Sequence, residues 1–370
     1  MDPGIWLTAS LSLVVTIQTA YLLLLYRRFA FYASPPPPTR PDMPVSVVIC
    51  TRDEAANLTE RLPVVLGQDY EGPCEVVVVN DNSVDDSTYI LEDLQSRQPR
   101  LMPVELKQEA VHIPGKKFPL AVGLKTARHE VVLLTDADCT PASPQWVRRM
   151  LSTYTDGIEI VLGYGGYERL PGLLNRLIRF ETFHTALQYL SYALAGIPYM
   201  GVGRNLSYRR ELFFRHKGFS AHNHIPGGDD DLFVNMAATP GNTAIQVDPE
   251  AFTYSEPATT FREWRRQKQR HYSTGRHYRP IHKLLLGMQA ATHLLLYPLL
   301  VACLFLADWQ VAASLFALRL LVQAVIYYKS MHRLGETDLW PWFWLLDIWQ
   351  WAYYLLFLPA TWMKPRPGWK

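Results

Sequence analysis

Two carboxylates one residue apart, Asp136 and Asp138, follow directly on the run Val131-Val132-Leu133-Leu134-Thr135. Four apolar residues in an unbroken row read as a strand buried on both faces, as in a parallel α/β sheet. Carboxylates at the exit of such a strand stand where open α/β sheets take their ligands. On an extended segment, side chains at i and i+2 share a side. Asp136 and Asp138 are therefore expected to share one divalent cation. Two hard oxygen ligands completed by substrate phosphates suit Mg²⁺ or Mn²⁺. The plain alternative is a pair of solvated loop acids, since Asp-x-Asp by itself is common.

Four further elements accompany this pair in order. Cys50-Thr51-Arg52-Asp53-Glu54 and Val79-Asn80-Asp81-Asn82-Ser83 come before it; Gly227-Gly228-Asp229-Asp230-Asp231-Leu232 and the basic segment Phe261–Arg279 come after. Apolar runs predict strands over Val45–Cys50, Glu75–Asn80, Leu101–Leu106 and Glu130–Thr135. Helical spacing covers Glu54–Leu66, Ser83–Arg97 (opened by Ser83) and Phe118–Arg128. Strands alternating with helices predict a parallel sheet with right-handed crossovers. Three of the motifs then leave strand ends and converge on one crevice. Beyond Thr140 the pattern is irregular. A long helix is predicted over Leu173–Ala195, and a strand over Gly201–Ser207 whose glycines admit a ligand.

The flanks are membrane-like. Residues 4–26 carry no charge and are long enough to span a bilayer, and Arg27-Arg28 follow at once. By the positive-inside rule the next domain is cytoplasmic. A signal peptide would need a basic leader, whereas Asp2 is the only early charge, so an uncleaved anchor is expected. Residues 284–306 and 310–328 are apolar, with Asp308 between them and Arg319 inside the second; 340–363 is rich in Trp and Tyr. Lys329, His332 and Arg333 mark a cytoplasmic loop. Three full spans here would leave Lys364, Arg366 and Lys370 outside, against that rule, so two or three spans are open. The expected organisation is an anchor (1–28), a Pro-rich linker (29–44), an α/β catalytic domain (45–258), an amphipathic interfacial segment (259–282) and a C-terminal membrane region (283–370). A net charge of +2 gives no bulk attraction for nucleic acid. Cys50, Cys74, Cys139 and Cys303 lack paired metal spacing and read as reduced thiols.

The five motifs together resemble those of the family 2 glycosyltransferases, inverting enzymes of GT-A fold, over about Val45 to His277. The membrane segments fit the membrane-embedded branch of that family. The resemblance implies that Thr51, Arg52 and Glu54 hold the nucleotide and that Asp81 accepts a hydrogen bond from its base, usually uracil. Gly115-Lys116 corresponds to a glycine–lysine motif, with Lys116 reaching a phosphate or the sugar and Lys117 the neighbouring candidate. A solvated lysine pair remains the alternative. Asp136 and Asp138 would hold the metal on the diphosphate. The base comes from Asp229–Asp231, with Asp230 favoured and Asp229 next. The structural alternative there is an acidic helix N-terminus. Gln267-Lys268-Gln269-Arg270-His271 matches Gln/Arg-x-x-Arg-Trp except at its last position. Gln267 and Arg270 would meet the pyrophosphate, and His271, in place of Trp, would line the acceptor site. Arg204 or Asn205 is expected against donor or acceptor. Phe261 and Trp264 are expected to anchor an apolar face, and most of the basic residues to meet anionic lipid.

The implied function is a membrane-bound inverting transfer of sugar from a nucleotide-sugar, foremost a UDP-sugar, to a lipid or glycan hydroxyl. The expected site is the cytosolic face of a plasma or bacterial inner membrane. A processive polysaccharide synthase, a non-catalytic scaffold of the same fold and a nucleotidyltransferase are the competing readings.

Overall fold

A computed structural model describes residues 3–34, 42–108 and 113–361. The Pro35–Pro38 stretch and the basic tail at Lys364, Arg366 and Lys370 lie outside these residues. The α/β part is built on a seven-stranded sheet of order β3-β2-β1-β4-β8-β6-β9. Its strands are β1 (Val45–Thr51), β2 (Cys74–Asp81), β3 (Leu101–Leu106), β4 (Val131–Asp136), β6 (Ile160–Leu162), β8 (Leu206–Arg209) and β9 (Thr243–Ile245). A second sheet joins β5 (Cys139–Pro141), β10 (Thr253–Ser255) and β7 (Gly165–Tyr167).

The apolar runs pair as their burial requires. β1 lies parallel between β2 and β4, and β2 parallel to β3. Alternate residues feed two cores. Val48, Cys50, Val77, Val79, Val132 and Leu134 belong to the core shared with the helices Lys117–Thr126 and Leu173–Leu194, while Val47, Ile49, Val76, Val78, Val131 and Leu133 face the opposite layer. The sheet is not wholly parallel, as the alternation predicted: β8 runs antiparallel to both β4 and β6. The short turn Gly203–Asn205 leads straight into β8. The strand predicted over Gly201–Ser207 therefore begins only at Leu206.

Other boundaries shift for local reasons. Helical spacing over 54–66 is divided into Ala55–Glu60 and Leu62–Leu66, the second opening with Pro63. Ser83 does not open the next helix, which runs Ser87–Arg97. Instead Ser83 Oγ donates to Asn80 Oδ1 and accepts from the Asp53 amide. The Lys117–Thr126 helix crosses the sheet at Gly123, where an added Cβ would meet Val48 Cγ1 at 2.7 Å and Val79 Cγ2 at 3.0 Å. Gly123→Ala gains about 1 kcal/mol of helix propensity but forces two stiff valines apart, at about 1–3 kcal/mol. A lowered melting temperature is expected; a raised one would show that the crossing has slack.

Among the described residues three helices are long and apolar enough to cross a membrane: Pro3–Ala30, Pro280–Leu306 and Trp309–Arg333. The aromatic stretch predicted at 340–363 forms only a 15-residue helix, Phe343–Phe357, after the turn Thr337–Trp342. Inside the bundle Arg319 meets Asp347 through both Nη atoms, at 2.6 and 3.0 Å, and Gln18 through Nε at 2.8 Å. Gln323 and Tyr297 also donate to Asp347.

Candidate active site

The loops leaving β1 and β4 open on one cavity of about 860 Å³, whereas the loop leaving β2, with Asp81, does not line it and reaches it only through the β1 loop. The β1 and β2 loops are tied together. The Val84 amide donates to Asp53 Oδ1 and the Ala55 amide to Asp85 Oδ2. Asp53 and Asn82 take left-handed φ of 54° and 53° at these turns, a conformation short polar side chains tolerate. Arg52 and Glu54 line the cavity. Asp81, at the end of β2, lies 3.8 Å from Arg52. Thr51 is fully buried and does not line the cavity.

Asp136 ends β4, and a tight turn carries the chain through Asp138 into β5. The expected extended geometry is thus replaced by a turn, yet the two carboxylates and Cys139 Sγ still lie within 4.8 Å of one another. Burial and the charge of Asp136 push the Asp138 carboxyl up. Asp136, half-buried, is held low by Lys116, which forms an ion pair with it. A hard divalent cation fits this donor set, because it would offset two crowded carboxylates. Cys139 does not fit as a third ligand. Burial drives its thiol pKa up, and its sulfur lies 3.1 Å from Ser255 Oγ.

The two adjacent lysines part company. Lys116 lines the cavity. Lys117 is 1% exposed and donates to the carbonyls of His222 and Ile225, at 2.6 and 2.8 Å. Burial lowers its pKa to about 8. It pins the loop that leads to Gly227 and Gly228, both at positive φ.

The three aspartates that follow point differently. Asp230 caps the helix Asp231–Ala237. It accepts from its neighbour's amide at 2.7 Å and from the Gly203 amide at 2.7 Å. Burial and the charges of Asp229 and Asp231 raise its pKa to about 8. Asp231 accepts from Thr274 and from Tyr278 Oη, so it serves to fix the segment after the basic helix. Asp229 faces the cavity. A helix terminus and a cluster of site acids are therefore the same feature.

Arg204 enters from the Gly203–Asn205 turn, donates to the Gly166 carbonyl at 3.1 Å and lies 4.3 Å over the Tyr167 ring. It is near both Asp136 and Asp138. The Asn205 side chain is fully buried and bonds to backbone carbonyls, which removes it from the site.

The basic helix Phe261–Tyr272 opens with a Thr260/Glu263 capping box. Gln267 donates to Tyr167 Oη at 3.0 Å; Arg270 and His271 line the cavity. His271 stays open to the cavity's solvent, and its depth together with Lys268, Arg270 and Arg204 holds it well below the ordinary histidine range. Trp264 is not a surface anchor: it is fully buried against Trp349, Tyr353 and Phe357. Lys268 is buried too, in an ion pair with Glu181. The amphipathic pattern predicts a lipid-facing stripe, but the Phe343–Phe357 helix covers it at Trp264, while Phe261 stays exposed. Sequence reasoning missed Tyr167, Glu181 and Tyr278. Each is an aromatic or charged residue outside any motif, recognisable only by what it touches.

Paired acids at the end of β4, the cationic side chains of Lys116, Arg204 and Arg270, and the acidic loop Asp229–Asp231 thus line one cavity. Residues 46–215 match the family model described as glycosyl transferase family 2. Residues 131–364, more than half the chain, match glycosyl transferase family group 2. The chain belongs to the family 2 glycosyltransferases, with the GT-A fold. No curated protein matches it in sequence. Among solved structures it is similar to the mannosyltransferase PcManGT from Pyrobaculum calidifontis, in complex with GDP-Man and Mn²⁺. That likeness has 20% identity, covers 94% of this chain and 99% of that one, and has a TM-score of 0.58. It is also similar to S. aureus TarS 1-349 in complex with UDP-GlcNAc, at 17% identity, 86% and 90% coverage and a TM-score of 0.44.

Proposed function

We propose that this protein is a membrane-bound, metal-dependent inverting glycosyltransferase. It moves a sugar from a nucleotide-sugar, foremost a UDP-sugar, to a hydroxyl of a lipid or glycan on the cytosolic side. The observation that carries this reading is one cavity lined by Asp136, Asp138, Asp230 and Arg270 together. Residues 45–258 are read as the catalytic domain and 259–282 as the segment that closes it over the membrane.

Arg52, Glu54 and Asp81 hold the nucleoside, and Arg270 and Lys116 the phosphates. Asp136 and Asp138 would hold Mg²⁺ or Mn²⁺, which offsets charge building on the leaving diphosphate. The acceptor oxygen attacks the anomeric carbon on the face opposite that group. A C–O bond forms, the bond to the diphosphate breaks with its electron pair, and Asp230 takes the hydroxyl proton. Charge supports this sidedness. Arg333 lies 5.9 Å over the Phe29 ring, so the basic ends of the first and third long helices meet on one side. The Arg319–Asp347 network fills the bundle interior, which favours single transfer over a polymer-secreting channel.

The test is nucleoside diphosphate release by purified protein with a panel of UDP- and GDP-sugars, Mn²⁺ or Mg²⁺ and native lipid extract. One donor should be consumed. Asp138→Asn should weaken Mn²⁺-dependent nucleotide binding by about tenfold or more. Nucleotide binding without turnover would replace the enzyme by a scaffold; pyrophosphate release would mark a nucleotidyltransferase.

A further inference from the structure

A second cavity, of about 570 Å³, shares no lining residue with the candidate active site. It lies where the first and third long helices end against the edge of the sheet. The turn after the first helix brings Tyr32, the end of the third brings Lys329 and Arg333, and the α/β domain brings Arg149 and the segment Ile245–Pro249 after the edge strand β9. Its charge is unbalanced. Asp248 is the one acid among the lining residues, and Arg149 lies 3.5 Å from it. Lys329 and Arg333 are left over: among the described residues no oxygen accepts from either and no carboxylate pairs with either. The Arg333 guanidinium instead lies over the Phe29 and Tyr32 rings, at 5.9 and 6.0 Å.

The field of a helix C-terminus accounts for basic residues in a last turn. It does not account for an open cavity beside two unmatched cations, and like charges four residues apart repel on a helix. An anion offsets that repulsion. A guanidinium fork takes two oxygens of a phosphate, Lys adds a point charge, and the half-buried Tyr32 brings a hydroxyl donor. The neighbouring helix surface indicates what carries the phosphate. Leu321, Val325, Lys329 and Arg333 follow one another at four-residue steps, along one ridge of the helix. Leu321 and Val325 are 67 and 54% exposed. The ridge is thus apolar and uncovered first, then cationic where the spanning stretch ends. A free phosphate ion uses only the cationic end; a phospholipid uses both.

We propose that this cavity binds the phosphate headgroup of one anionic phospholipid, whose acyl chain lies along Leu321 and Val325. Held there, the lipid ties the ends of both helices to the sheet edge at β9 and fixes how the α/β domain stands on the bilayer. This rests on the membrane-bound part of the reading above and not on its chemistry.

The experiment is native mass spectrometry of the full chain released from detergent. The added probes are phosphatidylglycerol, phosphatidylcholine and, as a soluble source of the same phosphate, glycerol phosphate. One phosphatidylglycerol per chain is expected to stay bound once the detergent is stripped, with phosphatidylcholine and glycerol phosphate lost. Lys329→Gln and Arg333→Gln should each weaken that retention about fivefold. Arg262→Gln, at an exposed position outside the cavity, should leave it unchanged. Lys329 is exposed, so its variant keeps the test alive if Arg333→Gln does not fold. Equal retention of phosphatidylcholine, glycerol phosphate bound as tightly as the lipid, unchanged retention in both cavity variants, or an equal loss in Arg262→Gln would overturn the inference. The same sample tests the reading beneath it. A chain that stays monodisperse without detergent overturns membrane attachment itself, whereas detergent dependence without a preference for phosphatidylglycerol confines the failure to this site.

Discussion

Asp230→Asn is expected to lower sugar transfer by about 10²–10⁴-fold, the usual loss when a positioned general base is removed. The residue is half-buried, neighbours two like charges and has a pKa raised to about 8. Its carboxylate is therefore a stronger base than an exposed one, and only about a tenth of it is ionised at pH 7. Wild-type kcat/KM should rise about tenfold between pH 7 and pH 9 with an apparent pKa near 8. The same shift has a stability consequence of opposite sign. A carboxyl that binds its proton more tightly when folded contributes stability fully below its unfolded value of 3.8, and that stability is lost as pH rises through about 8. Asparagine cannot ionise. The variant should thus melt higher than wild type at pH 8.5, by an amount on the order of a few kcal/mol at most, and similarly to it near pH 4. An inactive variant with no pH-dependent gain in stability would mean that Asp230 is merely a cap. Retained turnover would move the base to Asp229.

Asp347→Ala should destabilise the protein by about 3–5 kcal/mol, because it strands Arg319 among helices that exclude water. Arg319 is 3% exposed and its guanidinium is shared by Asp347, Gln18 and Gln323. The double replacement Arg319→Met with Asp347→Leu removes both charges and should recover much of the loss. Thermal unfolding in detergent would read this; a single variant no less stable than the double one would rule the account out. A kinetic effect should accompany it. Asp347 stands on the helix that presents Trp349, Tyr353 and Phe357 to Trp264, and Trp264 fixes the helix carrying Gln267 and Arg270. Loosening that contact should raise the donor KM.

The sheet centre and the location of the site were legible because their signals are local. Valine-rich runs can be satisfied only between two apolar layers, and the polar residues after them must then lie at strand ends. Thr51-Arg52, Asp81 and Asp136 emerge together for that reason. Choices between neighbours were not legible. Lys116 and Lys117 are identical in type. Only the start of the Lys117–Thr126 helix turns one to the cavity and the other into the carbonyls of His222 and Ile225. Asp230 and Asp231 are separated in the same way, by Gly203 on one side and Tyr278 on the other.

By itself the sequence determined the order of motifs, the GT-A class, the paired acids suited to a metal and the apolar flanks. These depend on residue type and spacing along a few turns or strands. The tertiary structure decided the antiparallel β8, the burial of Trp264 and Lys268, the Arg319–Asp347 pair and the basic cavity between Tyr32 and Arg333. Each of these joins residues tens to hundreds of positions apart. Its energy comes from desolvation and hydrogen bonding that exist only once the helices and the sheet have met.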